Sequence, residues 1–185
     1  MILLIVLAIV VVIAIALITL YNKLVRMRTN VDESWSQIDV QLQRRNDLIP
    51  NLMNTVKGYS KFEQATLTKV TELRSAIMNA PQDADPAKLM KKSDELSNCL
   101  KSIFAVSEAY PDLKASAEYQ QLMEELANTE NKIAYSRQLY NSTVANYNMS
   151  LQSFPVNLIA GMFHFTQREY LKADEAAKKV PEVKF

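Results

Sequence analysis

The sequence predicts an all-α protein: an N-terminal transmembrane helix continuing into an elongated antiparallel helical bundle, with three long helices plus shorter C-terminal helices. Three observations carry this expectation. Residues 1–20 form an uncharged apolar run interrupted only by Thr19, and twenty helical residues rise roughly 30 Å, the thickness of a bilayer's hydrocarbon core. Only 2 glycines occur in 185 residues, so tight turns are scarce while helix formers are plentiful. Beyond the run, apolar residues recur in steps of four and three, the seven-residue period that favours helices crossing at about +20°.

Residues 1–21 are therefore expected to be a membrane anchor and residues 22–185 a cytoplasmic helical bundle. Lys23, Arg26 and Arg28 follow the run directly, and the positive-inside bias places a short amino terminus outside and the bundle inside the cell. A cleaved signal peptide fits less well. No basic region precedes the run, and the small-x-small tripeptide Ala14-Ile15-Ala16 is followed by more apolar residues.

Helix 1 is expected over about 22–79. Its frame is Val31, Trp35, Ile38, Leu42, Arg45, Ile49, Leu52 and Val56, continuing through Tyr59, Glu63, Thr66, Val70, Leu73 and Ile77. Arg28, Leu24, Tyr21 and Leu17 carry the same frame back toward the membrane. Pro50 removes the amide that would bond the Asn46 carbonyl, so a bend is expected there. Asp85 as an N-cap and Pro86 at the first position then open helix 2, expected over about 86–110 with Pro111 as its stop. Its frame is Leu89, Ser93, Leu96, Leu100, Ile103, Ser107 and Tyr110.

Helix 3, over about 115–153, carries Leu122, Leu126, Thr129, Ile133, Ser136, Tyr140, Thr143 and Tyr147 before Pro155. Short C-terminal helices are expected within about 156–179, the last of them polar and near Gln167 to Lys179, with 180–185 extended.

Composition narrows the function classes. The 21 basic and 20 acidic residues are well mixed and leave a net charge of +1, unlike the concentrated positive charge of a nucleic-acid binder. Cys99 and His164 are single and fall on different segments, so neither a metal cluster nor a nucleophile–base pair is expected. Gly58 and Gly161 stand alone, which provides no phosphate-cradling loop. No catalytic, metal or cofactor residue is assigned.

The least ordinary local chemistry is Arg44-Arg45-Asn46-Asp47 followed by Pro50. One reading makes Arg45 and the carbonyl freed by Pro50 a polar spot for a ligand or partner. The preferred reading is structural: Arg45 lies on the seam and pairs with an acidic residue of helix 3, for which Glu130 is the candidate. Tyr140 and Tyr147, one heptad apart, are read as core residues, with a recognition stripe for another helix as the alternative. The apolar stretch Phe154 to Phe165 is read as a bundle cap, with a membrane-interface or subunit contact as alternatives.

The block from Trp35-Ser36-Gln37-Ile38-Asp39 through Gln43-Arg44-Arg45-Asn46-Asp47-Leu48-Ile49-Pro50-Asn51-Leu52 closely resembles the bacterial LemA family. Tyr21-Asn22, Thr55-Val56-Lys57-Gly58-Tyr59, Ala109-Tyr110-Pro111-Asp112-Leu113, Thr129-Glu130-Asn131, Tyr140-Asn141, Tyr147-Asn148 and Phe154-Pro155 continue the resemblance in order. It implies one N-terminal membrane helix, a cytoplasm-facing helical bundle at the bacterial inner membrane, and no assigned catalytic activity. One branch of the family resembles proteins of magnetosome membranes. The function expected is a non-enzymatic, membrane-tethered scaffold or interaction protein with the membrane as partner, no nucleic acid, no cofactor, and protein partners left open. The alternatives are a homo-oligomer that shapes or organises the membrane and, behind it, an enzyme.

Overall fold

The computed structural model describes residues 1–57, 64–81 and 83–172. Six α-helices occur among them: α1 (Ile2–Val56), α2 (Gln64–Met78), α3 (Pro86–Ser107), α4 (Pro111–Ala115), α5 (Ala117–Gln152) and α6 (Val156–Met162). No strand occurs among the described residues. The described residues divide into two units, one built from those in 1–36 and 138–170, the other from those in 37–137 with Leu171 and Lys172. The long helices α1 and α5 contribute to both.

In the first unit the apolar run is the start of α1, not a separate tag. Its side chains from Met1 to Ile18 are exposed, and Leu24 and Val31 are the first to be fully buried. The helix is long and apolar enough to cross a membrane, and none of its apolar window is buried by protein. It therefore has the chemistry of a membrane anchor and not of a core helix. Further along, α1 pairs with the second half of α5 in antiparallel sense: Ser34 Oγ donates to Thr143 Oγ1 at 3.2 Å, and Trp35 meets Tyr140 edge-on at 6.2 Å.

The second unit is an up-down-up-down bundle of α1, α2, α3 and α5. Its core is the seven-residue frame itself. Ile38, Leu42, Ile49, Leu52 and Val56 of α1 are buried, with Val70, Leu73 and Ile77 of α2, Leu96, Leu100 and Ile103 of α3, and Leu126 and Ile133 of α5. Asp85 caps α3 by accepting from the Ala87 amide at 2.9 Å, with Pro86 at the first position.

Helix 1 does not continue over 22–79 as one rod. It ends at Val56, and α2 runs back along it, because the Arg74 side chain reaches the Asn46 backbone and a groove joins Lys57 to Gln64. The apolar frame names the buried face but is silent on direction, so a reversed helix satisfies it as well as a continued one. Folding back buries Leu67, Val70, Leu73 and Ile77 within the bundle, where a continuing rod would need another partner for them.

Two further boundaries differ from expectation. α3 ends at Ser107, and Pro111 starts the short α4 instead of only stopping a helix, since a proline is as well placed at the first turn as it is badly placed within one. Residues 167–172 are not helical: the backbone groups of Arg168 and Glu169 bond to side chains of α5. The remainder of that expected helix, the extended tail 180–185, Gly58, Tyr59 and Glu63 lie outside the described residues.

Candidate functional site

Arg45 is the largest side chain with almost no exposure, at 1%. It enters the second unit from α1 between α3 and α5. Nη1 donates to Ser97 Oγ and to Glu130 Oε2, each at 2.8 Å, and Nη2 donates to the Ser93 carbonyl at 3.2 Å and to the Ser93 hydroxyl. Ser97 Oγ lies 3.0 Å from Glu130 Oε2, so arginine, serine and carboxylate form one closed cluster joining three helices. Burial pulls the Arg45 guanidinium below its ordinary pKa, while the charge and hydrogen bond of Glu130, and the charge of Asp94, act the other way.

The pair is asymmetric. Glu130 keeps 47% of its side chain exposed and reaches in from the rim, whereas Arg45 has given up its water. An arginine fork supplies several directed donors from one residue, so a single seam position locks α1 to α3 and α5 in one register. Two other ion pairs stand beside it: Arg44 with Glu125 at 3.0 Å, on the surface, and Arg137 with Asp94 between α5 and α3. Asp47 is exposed.

Pro50 is accommodated within α1, and the carbonyl it leaves without an amide is taken by Arg74 Nε, which donates to Asn46 O at 2.8 Å. Beside this contact a groove of about 390 Å³ runs along α1 and α2. Among the described residues its polar lining is Asn54, Lys57, Gln64, Thr68, Thr71 and Arg74, without a carboxylate, histidine or cysteine. Those residues bind and position; they do not form an acid–base pair.

In the first unit Trp35 is half-buried against Tyr140, and Tyr140 and Tyr147 are both buried. Tyr140 OH points to the Glu169 carbonyl at 3.4 Å. Burial raises the Tyr147 phenol above its ordinary pKa, with Asp32 adding to this and the positive charges of Arg168 and Arg28 opposing it. The adjacent Asn148 is a clamp: its Nδ2 donates to the Arg168 carbonyl at 2.9 Å and its Oδ1 accepts the Arg168 amide at 3.0 Å. Arg168 in turn reaches Asp32 of α1 at 3.1 Å.

Cys99 on α3 is half-buried, and burial raises its thiol pKa, aided by Glu95 and opposed by Lys69; such a thiol is a poor nucleophile. No group of metal-ligating side chains occurs among the described residues.

The structure thus brings Arg45 and Glu130 together and puts Arg44 and Pro50 on neighbouring turns with partners of their own. Trp35, Tyr140 and Tyr147 belong to the other unit. Sequence reasoning missed Ser97, Arg74 and Arg168, and named Asn148 only within the family resemblance, without a role. Only Arg74 had a signal, the carbonyl freed by Pro50, which calls for a donor without saying which.

The sequence profile of the LemA family matches residues 34–185, the span that holds the Arg45 cluster, the Arg74–Asn46 bond and the Asn148 clamp, but not Asp32, the partner of Arg168. The chain belongs to the LemA family. It is 31% identical over 140 residues to Protein LemA of Metamycoplasma hominis, covering 75% of this chain and 63% of that protein. It is also 25% identical over 179 residues to magnetosome protein MamQ 2 of Paramagnetospirillum magneticum, covering 84% and 66%, and 25% identical over 173 residues to magnetosome protein MamQ of Magnetospirillum gryphiswaldense, covering 81% and 64%. This LemA-family chain therefore spans just under two thirds of the length of these relatives. The Arg45 cluster and the Pro50–Arg74 contact both lie within the part that defines the family.

Proposed function

We propose that this LemA-family chain is a non-catalytic, membrane-tethered interaction scaffold, held in a bacterial inner membrane with its helical bundle in the cytoplasm. The observation that supports it is the use of the bundle's buried charge. Arg45, Ser93, Ser97 and Glu130 are occupied with one another across three helices, and Arg137 with Asp94 across two. Such groups fix helix register and leave the outer faces to meet partners. Lys23, Arg26 and Arg28 at the exit of the apolar helix support the cytoplasmic orientation.

The test is site-specific photo-crosslinking in intact cells from the exposed positions Val40 and Tyr135. Discrete adducts with other proteins are the expected result, and their absence at every exposed position overturns the reading. A cysteine at exposed Glu118, labelled by an impermeant maleimide only after lysis, is expected for the cytoplasmic orientation.

The relatives named as magnetosome proteins favour a second reading, a self-assembling oligomer that organises a membrane. Its adducts would be multiples of the chain's own mass. The detergent-extracted protein would also lose its size when residues 1–20 are removed.

A further inference from the structure

We propose that α6 and the turn on either side of it lie in the surface of the same bilayer that α1 crosses, forming an interfacial foot beside the anchor. This rests on reading the start of α1 as membrane-spanning and goes beyond it, because it assigns a second, separate lipid contact to residues 154–163.

Three observations from the first unit converge. The first is position. Tyr21 directly follows the apolar run, and its ring lies 4.7 Å from that of Phe163 and 5.8 Å from that of Phe165. The antiparallel pairing of α1 with α5, seen at Ser34–Thr143, carries the end of α5 toward the anchor. α6 therefore sits at the level where α1 emerges from its apolar stretch.

The second is surface chemistry. α6 buries Val156, Ile159 and Ala160 against the protein and leaves Leu158 and Met162 exposed, as are Phe154 and Phe163 in the turns beside it, with Phe154 at 79% and Met162 at 69% exposure. No charged residue occurs between Phe154 and Phe165. Exposed apolar side chains grouped in this way mark a contact surface, and an interfacial helix buries its apolar face about 5–10 Å into the headgroup–acyl boundary.

The third is the change in chemistry immediately beyond. Arg28 lies over the Phe165 ring at 5.4 Å, and Arg168 pairs with Asp32. Aromatic rings at the boundary followed by cations on the aqueous side form the pattern of a membrane interface. The occupant is thus lipid, continuous with the bilayer around α1. With no Lys or Arg on the patch itself, the contact is apolar and indifferent to lipid charge.

The test uses the full chain with Cys99→Ser, reconstituted in phosphatidylcholine vesicles, with single cysteines placed at Ile9, Leu158 or Glu118 and labelled with an environment-sensitive fluorophore. The label at 158 is expected to shift to the blue and to be quenched by bromines near the headgroup end of the acyl chains more than by bromines near the chain ends. The label at 9 should show the opposite preference, and the label at 118 should respond to neither. A label at 158 that behaves like the one at 118, while the one at 9 is quenched, overturns the foot and leaves the anchor standing. If the label at 9 is also unquenched, the anchor reading falls and the foot with it. Efficient disulfide dimerisation of Leu158→Cys without quenching would show that a second copy covers the face, and overturns the proposal equally. Replacing half of the lipid with phosphatidylglycerol is expected to leave the pattern unchanged; quenching that appears only with the anionic lipid contradicts the apolar contact.

Discussion

Arg74 donates to the backbone carbonyl of Asn46, the one that Pro50 deprives of its helical partner, at 2.8 Å. A helix interrupted by proline is therefore stitched by the helix that folds back beside it. The defect in α1 and the docking of α2 are one feature.

This relationship makes the effect of removing Arg74 depend on Pro50. Arg74→Ala should destabilise the full chain by about 1–2 kcal/mol, the worth of a hydrogen bond from a charged donor to a half-buried carbonyl. In a Pro50→Ala background the residue at 50 again has an amide for Asn46 O, and the same change should cost clearly less. Equilibrium unfolding of the four proteins in mild detergent measures the coupling; equal costs in both backgrounds would refute it.

For the Arg45 cluster the two partners should respond unequally. Glu130→Gln leaves a guanidinium with almost no exposure and without its hydrogen-bonded carboxylate, and is expected to cost about 2–3 kcal/mol. Arg45→Met removes the buried charge and leaves Glu130, which is 47% exposed, free to hydrate; the expected cost is about 1 kcal/mol or less. Denaturant midpoints decide, and a milder effect for the Glu130 change would reverse the assignment of which charge depends on the other.

The raised phenol pKa of Tyr147 predicts a pH dependence. An acid whose folded pKa exceeds its unfolded value contributes stability that is complete below the unfolded value, about 10 for tyrosine, and lost as pH rises through the folded value. Stability between about pH 9 and 11 should therefore fall off less steeply for Tyr147→Phe than for the parent chain. Parallel curves would show that burial of Tyr147 does not shift its titration.

His164 is the residue with a positive φ among the described non-glycines, at 55°. It closes α6: the Phe165 amide donates to the Ala160 carbonyl at 3.0 Å and the His164 amide to that of Gly161 at 3.4 Å, the two bonds of a Schellman turn whose left-handed position usually holds glycine. His164→Gly should stabilise by about 0.5–1 kcal/mol, and His164→Val should destabilise by at least about 1 kcal/mol. Equal midpoints for glycine and valine would mean that the left-handed turn does not limit stability.

Much of the fold was legible because burial on a helix is periodic. The frame read from Val31 to Val56, and again from Leu89 to Ser107, is the buried face in all but Trp35, which is half-buried. The Asp85–Pro86 start of α3 was legible for a local reason, a cap and a proline acting within one turn. The reversal after Val56 was not, since the frame reads the same through a continued helix and a returning one. The clamp of Asn148 on the Arg168 backbone spans twenty residues of sequence and leaves no local trace.

By itself, then, the sequence determined the apolar anchor, the helical class, the buried face of each long helix and the need for partners at Arg45 and at the Asn46 carbonyl. Those follow from side-chain chemistry and helical period, which act over a few residues. Only the tertiary structure decided that α2 turns back to supply Arg74, that Ser93, Ser97 and Glu130 surround Arg45, and that α6 is brought beside Tyr21. Each of these depends on which helices become neighbours, and that is set by packing across the whole chain and not by any one stretch of it.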